Sequence, residues 1–153
     1  MVNPGIYRIP RQRLSLVRDG SLRSTWKQFA NSRDAFEFAR DQLYADADRE
    51  QFYLLMLDGK NRLIGVNLVS QGSLSTSVVC AREAFKPAIV SNSAAVIFLH
   101  NHVSEDPSPS REDRECTARL HQAGILLGIR VLDHIVCGDA EYFSFADAGC
   151  LQD

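Results

Sequence analysis

Apolar residues recur along this chain with two different periods, and their alternation predicts an α/β domain. Ala35, Phe36, Ala39 and Leu43 repeat at helical spacing behind Ser32, which reads as an N-cap, so a helix is expected to about Ala45. The run QFYLLMLD over 51–58 is continuously apolar and ends in Asp58-Gly59, a tight-turn dipeptide. A second strand should follow from Arg62 to about Ser70, and a third over 75–80, beyond the break at Gly72. Residues 81–91 set Ala84, Phe85, Ala88 and Ile89 on one helical face, and AAVIFL over 94–99 is a buried strand. Ser108 followed by Pro109 predicts the start of another helix, ended by Gly124. Strands over 129–137 and 141–145 complete the pattern. Ahead of it, residues 1–30 are interrupted by Pro4, Gly5, Pro10 and Gly20. They predict an extended arm with one short helix near Ser24–Ala30, followed by a single domain over 31–153.

Composition changes this picture little, and charge changes it more. With 45% hydrophobic and 24% charged residues among 153, the chain is an ordinary globular one. No apolar run reaches the roughly 20 residues needed to span a bilayer, and the N-terminus lacks a hydrophobic signal core. A cytoplasmic location without membrane attachment is expected. The net charge of −2 hides an uneven split. Residues 1–33 hold seven basic groups against Asp19 alone, whereas 34–153 hold ten basic and eighteen acidic ones, so a +6 arm precedes a −8 domain. Such an arm can meet nucleic acid, its own domain or a second copy in a homodimer. Cys80, Cys116, Cys137 and Cys150 form no C-x-x-C pair and read as reduced, partly buried thiols.

The chemistry concentrates where the 94–99 strand ends. His100 and His102 stand at i and i+2, so both point to one face with Cα atoms roughly 6.5–7 Å apart. Two imidazoles so placed can converge on one ion. Asp113, Cys116 and Leu120 share the inward stripe of the following helix, and an inward aspartate calls for a cation or for hydrogen-bond donors. Ser110, one turn earlier, faces the same cavity. Two neutral histidines and one carboxylate leave a tetrahedral position open, which is the layout of a catalytic zinc site. His121, late on its helix, and His134, beside Asp133 in a strand, are expected to be structural.

H-x-H, seven residues and S-x-x-D form the JAMM signature of the MPN-type metalloproteases. The segments LHNHVSEDPSPSRED and GIRVLDHIVCGDAEYFSFADAG resemble the RadC-like branch of that superfamily, as do DREQFYLLMLDGKNRLIG and AREAFKPAI further upstream. The resemblance covers about residues 48–150. It implies a single MPN (JAB/JAMM, cytidine-deaminase-like) domain over 31–153, with a mixed β-sheet flanked by helices. It also implies Zn2+ bound by His100, His102 and Asp113, with Ser110 stabilising an oxyanion and an upstream glutamate acting as base. The family's base stands just before an apolar strand, as Glu50 does, and Glu83 in AREAF is the alternative. The implied reaction is hydrolysis of an amide or isopeptide bond in a protein or peptide substrate.

Two positions depart from the family loop, which usually reads HNHPSGDP. Val103 replaces the proline, freeing φ and restoring an N–H. Glu105 replaces the glycine, which disfavours a left-handed conformation there and adds negative charge near the metal. HNH nucleases disperse the corresponding residues over a hairpin and helix, and zinc deaminases require H-x-E with P-C-x-x-C, which is missing here. A DNA-repair role without proteolysis is the remaining rival. Longer RadC-like proteins carry a helix-hairpin-helix module, and residues 1–47 show none, so the rival rests on the basic arm.

Overall fold

The structure, a computed structural model, describes residues 9–72 and 79–151. Its elements are α1 (Ser32–Gln42), β1 (Gln51–Leu57), β2 (Leu63–Gln71), α2 (Ala81–Val90), β3 (Ala95–Asn101), α3 (Arg111–Leu127), β4 (Arg130–Cys137) and β5 (Tyr142–Ser144). Five strands form one mixed sheet in the order β2-β1-β3-β4-β5. Among the described strands only β3 and β4 run parallel, and α3 is the crossover between them. The expected α/β class, with a mixed sheet flanked by helices, is what forms. No helix among the described residues is long and apolar enough to cross a membrane.

The period-two alternation of the central strands builds two cores. Leu55, Leu57, Ile97 and Leu99 face α1, joined by Ala35, Phe36, Phe38 and Ala39. Leu54, Met56, Val96 and Phe98 face α2 and α3, joined by Ala84, Phe85, Cys116 and Leu120. Strand β3 is therefore buried on both sides along its whole length, which is why its sequence is a continuous apolar run. Full burial of Phe36 and Phe38 contributes about 2–3 kcal/mol each.

Several boundaries differ from expectation for local reasons. No helix forms over 24–30; Gln28 instead bridges Arg62, and Leu63 N donates to the Lys27 carbonyl. That pairing brings Phe29 edge-on to Phe38, 5.5 Å between ring centres, so Phe38 is buried although it lies off the anticipated stripe. The N-cap of α1 is Asn31, whose Oδ1 accepts from Asp34 N, while the Ser32 hydroxyl donates to Asp147 Oδ2. The helix stops at Gln42, short of Ala45, where Leu43 N and Tyr44 N both turn back to the Ala39 carbonyl. The expected strand over 75–80 falls mostly outside the described residues, and Val79 and Cys80 are not in a strand.

Helix α3 begins two residues later than Ser108-Pro109 suggests, because Ser110 and Asp113 form a reciprocal capping box. It also continues through Gly124 to Gly128, which ends it at φ 67°. Gly124 is a packing residue: a Cβ there would lie 2.7 Å from both the Ile129 carbonyl oxygen and Val131 Cγ2. A bulge marks the next strand. Val96 pairs with Val131 and Ile97 with Asp133, so Leu132 is skipped and the alternation of β4 reverses. His134 is thereby turned toward α3.

Gly124→Ala should lower the urea midpoint. Overpacking against a carbonyl costs about 1–3 kcal/mol, more than the roughly 1 kcal/mol that alanine adds to a helix. Gly65→Ala should be milder, since its Cβ would meet only the flexible Met56 Cε. Equal midpoints for Gly124→Ala and the parent chain would refute the packing role.

Candidate metal centre

Strand end, loop and helix start converge at one point. His100 lies on the α3 side of β3, by alternation from Val96 and Phe98. His102 continues the line through its N–H to the Cys137 carbonyl, and Asp113 arrives from the first turn of α3. The Nε2 atoms of the two histidines stand 3.0 Å apart. Asp113 Oδ1 is 3.2 Å from His100 Nε2, and Oδ2 is 3.3 Å from His102 Nε2. Ligand atoms held about 2.0–2.1 Å from a tetrahedral zinc lie about 3.3 Å from one another. This is the group of three among the described residues whose donor atoms are close enough to share an ion.

The donor chemistry fits as well as the spacing. His102 Nδ1 lies 2.7 Å from the Asp106 carbonyl oxygen, which only accepts, so the proton sits on Nδ1 and Nε2 presents a lone pair. His100 is fully buried and Asp113 is 4% exposed. Burial opposes ionisation of Asp113, but the imidazoles of His100 and His102 beside it outweigh burial and hold the carboxyl well below the usual range. Burial lowers the proton affinity of His100, while the Asp113 carboxylate beside its Nε2 raises that of the half-buried His102. Nitrogen and oxygen acceptors crowded at this depth suit a divalent cation.

Ser110 caps α3 and braces Asp113. Its hydroxyl donates to Asp113 Oδ2 at 2.7 Å, its N–H donates to the same oxygen at 2.8 Å, and its Oγ accepts from Asp113 N at 3.1 Å. Of the two glutamates, Glu50 is the one whose charge reaches the trio. The antiparallel register sets Phe52 opposite His100, and Glu50 stands two residues ahead of Phe52 in the chain. Its charge acts on both histidines. Glu83 is exposed at the start of α2 and pairs with Lys86 at 2.7 Å and Arg82 at 3.5 Å.

The loop keeps a conformation that its sequence disfavours. Glu105 takes the left-handed region at φ 64°, contrary to expectation for a residue that is not glycine. The turn from Glu105 N to the His102 carbonyl holds it there, and the strain costs about 1–2 kcal/mol. Its carbonyl also lies against Gly138, where a Cβ would collide with it.

Three contributors escaped the sequence reading. Asn101, between the histidines, points the other way and clamps the residues flanking Glu50: its Oδ1 accepts from Gln51 N at 2.7 Å and its Nδ2 donates to the Arg49 carbonyl at 3.1 Å. His134 lies behind His100, with Nε2 2.8 Å from His100 Nδ1, and Thr117 Oγ1 is 2.6 Å from His134 Nδ1. Two adjacent polar residues, Asp133-His134, inside an apolar strand were the available signal; the bulge that aims one of them was not. His121 lies outside the ligand group. The thiols divide: Cys116 and Cys137 are buried and pushed up in pKa by that burial, Cys116 to about 11, while Cys80 and Cys150 are exposed.

A mixed sheet carrying two strand-end histidines and a helix-borne aspartate that could together hold a metal ion is the arrangement of a JAB-type domain. The family model described as "RadC-like JAB domain" matches residues 29–150. The chain belongs to that family. A UPF0758 protein of Trichlorobacter lovleyi is 51% identical over 127 residues, covering 83% of this chain and 55% of the relative. A UPF0758 protein of Pelobacter propionicus is 49% identical over 81% of this chain and 54% of its own length. A third, from Geobacter sulfurreducens, is 53% identical over 71% of this chain and 47% of itself. The chain thus spans about half the length of the curated relatives it matches.

The bulge also yields a pH prediction. Asp133 accepts from His134 N, Ala146 N and the Ser144 hydroxyl, yet burial raises its carboxyl from 3.8 to about 6. The folded value exceeds the unfolded one, so its contribution to stability is complete below about pH 4 and is lost as pH rises through about 6. Asp133→Asn should therefore flatten the fall in urea midpoint between those pH values, and an unchanged slope would exclude Asp133 as its source.

Proposed function

We propose that this chain is a zinc-dependent hydrolase of the JAMM type, cleaving an amide or isopeptide bond in a protein or peptide. The observation that carries the reading is the convergence of two histidine nitrogens and one aspartate on a single point, with Glu50 just ahead of the strand whose Phe52 pairs with His100. His100, His102 and Asp113 would hold the ion. Bound there, zinc would lower the pKa of a water towards about 7 and polarise a carbonyl oxygen.

The chain's own residues supply the remaining chemistry. Glu50 takes the proton from the attacking water as its oxygen bonds to the carbonyl carbon. The Ser110 hydroxyl, turning from Asp113 to the substrate, donates to the oxygen on which negative charge grows. When the C–N bond breaks, Glu50 passes its proton to the leaving amine. Asn101 holds the backbone on both sides of Glu50, so the base and the two histidines are set by one strand end.

A DNA-repair-associated role that binds nucleic acid is the second reading. Arg11, Arg13, Arg18 and Arg23 are exposed on the arm and support it. Under that reading, replacing these four by glutamine removes a salt-dependent shift of labelled DNA. No shift by the parent chain at low salt would end it.

For the hydrolase, Glu50→Gln should retain one zinc per chain while lowering turnover of a peptide or isopeptide panel by about 10²–10⁴-fold. His102→Ala should lose the zinc itself, measured by elemental analysis. A fully active Glu50→Gln refutes the base assignment, and one zinc per chain in His102→Ala refutes the ligand set.

A further inference from the structure

The side chains behind His100 form a hydrogen-bond chain whose direction can be deduced. Thr117 Oγ1 carries one proton and has two polar neighbours: the Asp113 carbonyl oxygen at 2.7 Å and His134 Nδ1 at 2.6 Å. The carbonyl can only accept, so the hydroxyl proton lies on its side. His134 Nδ1 must then donate to the Thr117 oxygen. His134 is 1% exposed and surrounded by Phe52, Phe98 and Phe145, surroundings that favour a neutral ring with a single N–H. Its Nε2 therefore accepts, and the neighbour 2.8 Å away, His100 Nδ1, donates to it. His100 is left with a bare Nε2, the atom that faces His102 and Asp113. The opposite direction would set the oxygens of Thr117 and Asp113 lone pair to lone pair at 2.7 Å.

We propose that Thr117 and His134 are positioning residues that fix the tautomer of His100, so that Nε2 is offered to the metal. The relay ends on the carbonyl of Asp113, itself a ligand, and so ties the strand-borne ligand to the helix-borne one through the interior. Its role toward the ion rests on reading His100 as a zinc ligand. Two isosteric choices separate this role from plain packing. Thr117→Val keeps the shape and removes the hydroxyl; Thr117→Ser keeps the hydroxyl and removes a methyl.

The test is competition of the full chain with a chromophoric chelator for zinc(II), together with imidazole 15N NMR of the metal-free and zinc-loaded protein. Thr117→Val should weaken zinc binding by about tenfold or more, and Thr117→Ser should remain within about threefold of the parent, as expected for a partner of a ligating histidine. In the parent chain the NMR should show His134 protonated at Nδ1 and bare at Nε2, with His100 protonated at Nδ1. Thr117→Val that binds like the parent, or Thr117→Ser that binds more weakly than Thr117→Val, overturns the proposal. So does a His134 protonated at Nε2. If the parent chain takes up no zinc, the hydrolase reading falls, while the tautomers seen without metal still decide the relay.

Discussion

The rest of the structure depends on the parallel pairing of β3 with β4, which obliges the chain to leave β3 at its C-terminal end and return through α3. That crossover sets the last residues of a fully buried strand beside the first turn of a helix. Backbone N–H groups are unsatisfied at a helix start, and Ser110 and Asp113 use their side chains to cap them. Asp113 thereby stands at a helix N-terminus, where negative charge is favoured, and within 3.3 Å of two imidazoles. Fold and site share one cause.

Most of the architecture could be read from periodicity because β1 and β3 are buried on both faces and α2 and α3 on one stripe each. What failed was local. Asn31 displaced Ser32 as cap because the Ser32 hydroxyl is engaged with Asp147, 115 residues away. Gly124 read as a helix end, but it is the point where α3 touches the Ile129 carbonyl. Each miss was settled by a partner distant in sequence or by a backbone approach, and neither leaves a periodic trace.

The site was legible in proportion to how far its residues sit on regular elements. The candidate trio His100, His102 and Asp113 follows from a strand period and a helix stripe, and the structure brings the three together. His134 was read as a core residue, and it is one. Its connection to His100 requires the reversal of alternation at Leu132, which nothing in an apolar run announces. Asn101 was equally hidden: the period that sends His100 and His102 one way sends it the other, toward Arg49 and Gln51.

The three candidate ligands are not held equally. His100 is fixed by a strand flanked on both sides and by a buried chain through His134 and Thr117; Asp113 is fixed by a capping box. His102 alone leans on the loop, through its bond to the Asp106 carbonyl and the turn that Glu105 closes. The two departures from the family loop, Val103 and Glu105, therefore fall on the segment that orients one candidate ligand and leave the other two untouched. Glu105 keeps the left-handed turn at a cost in strain because Gly138 leaves its carbonyl room and the His102 carbonyl binds its N–H. Sequence change in that loop can thus adjust the exposed edge of the site and the charge around it while the buried edge keeps its geometry.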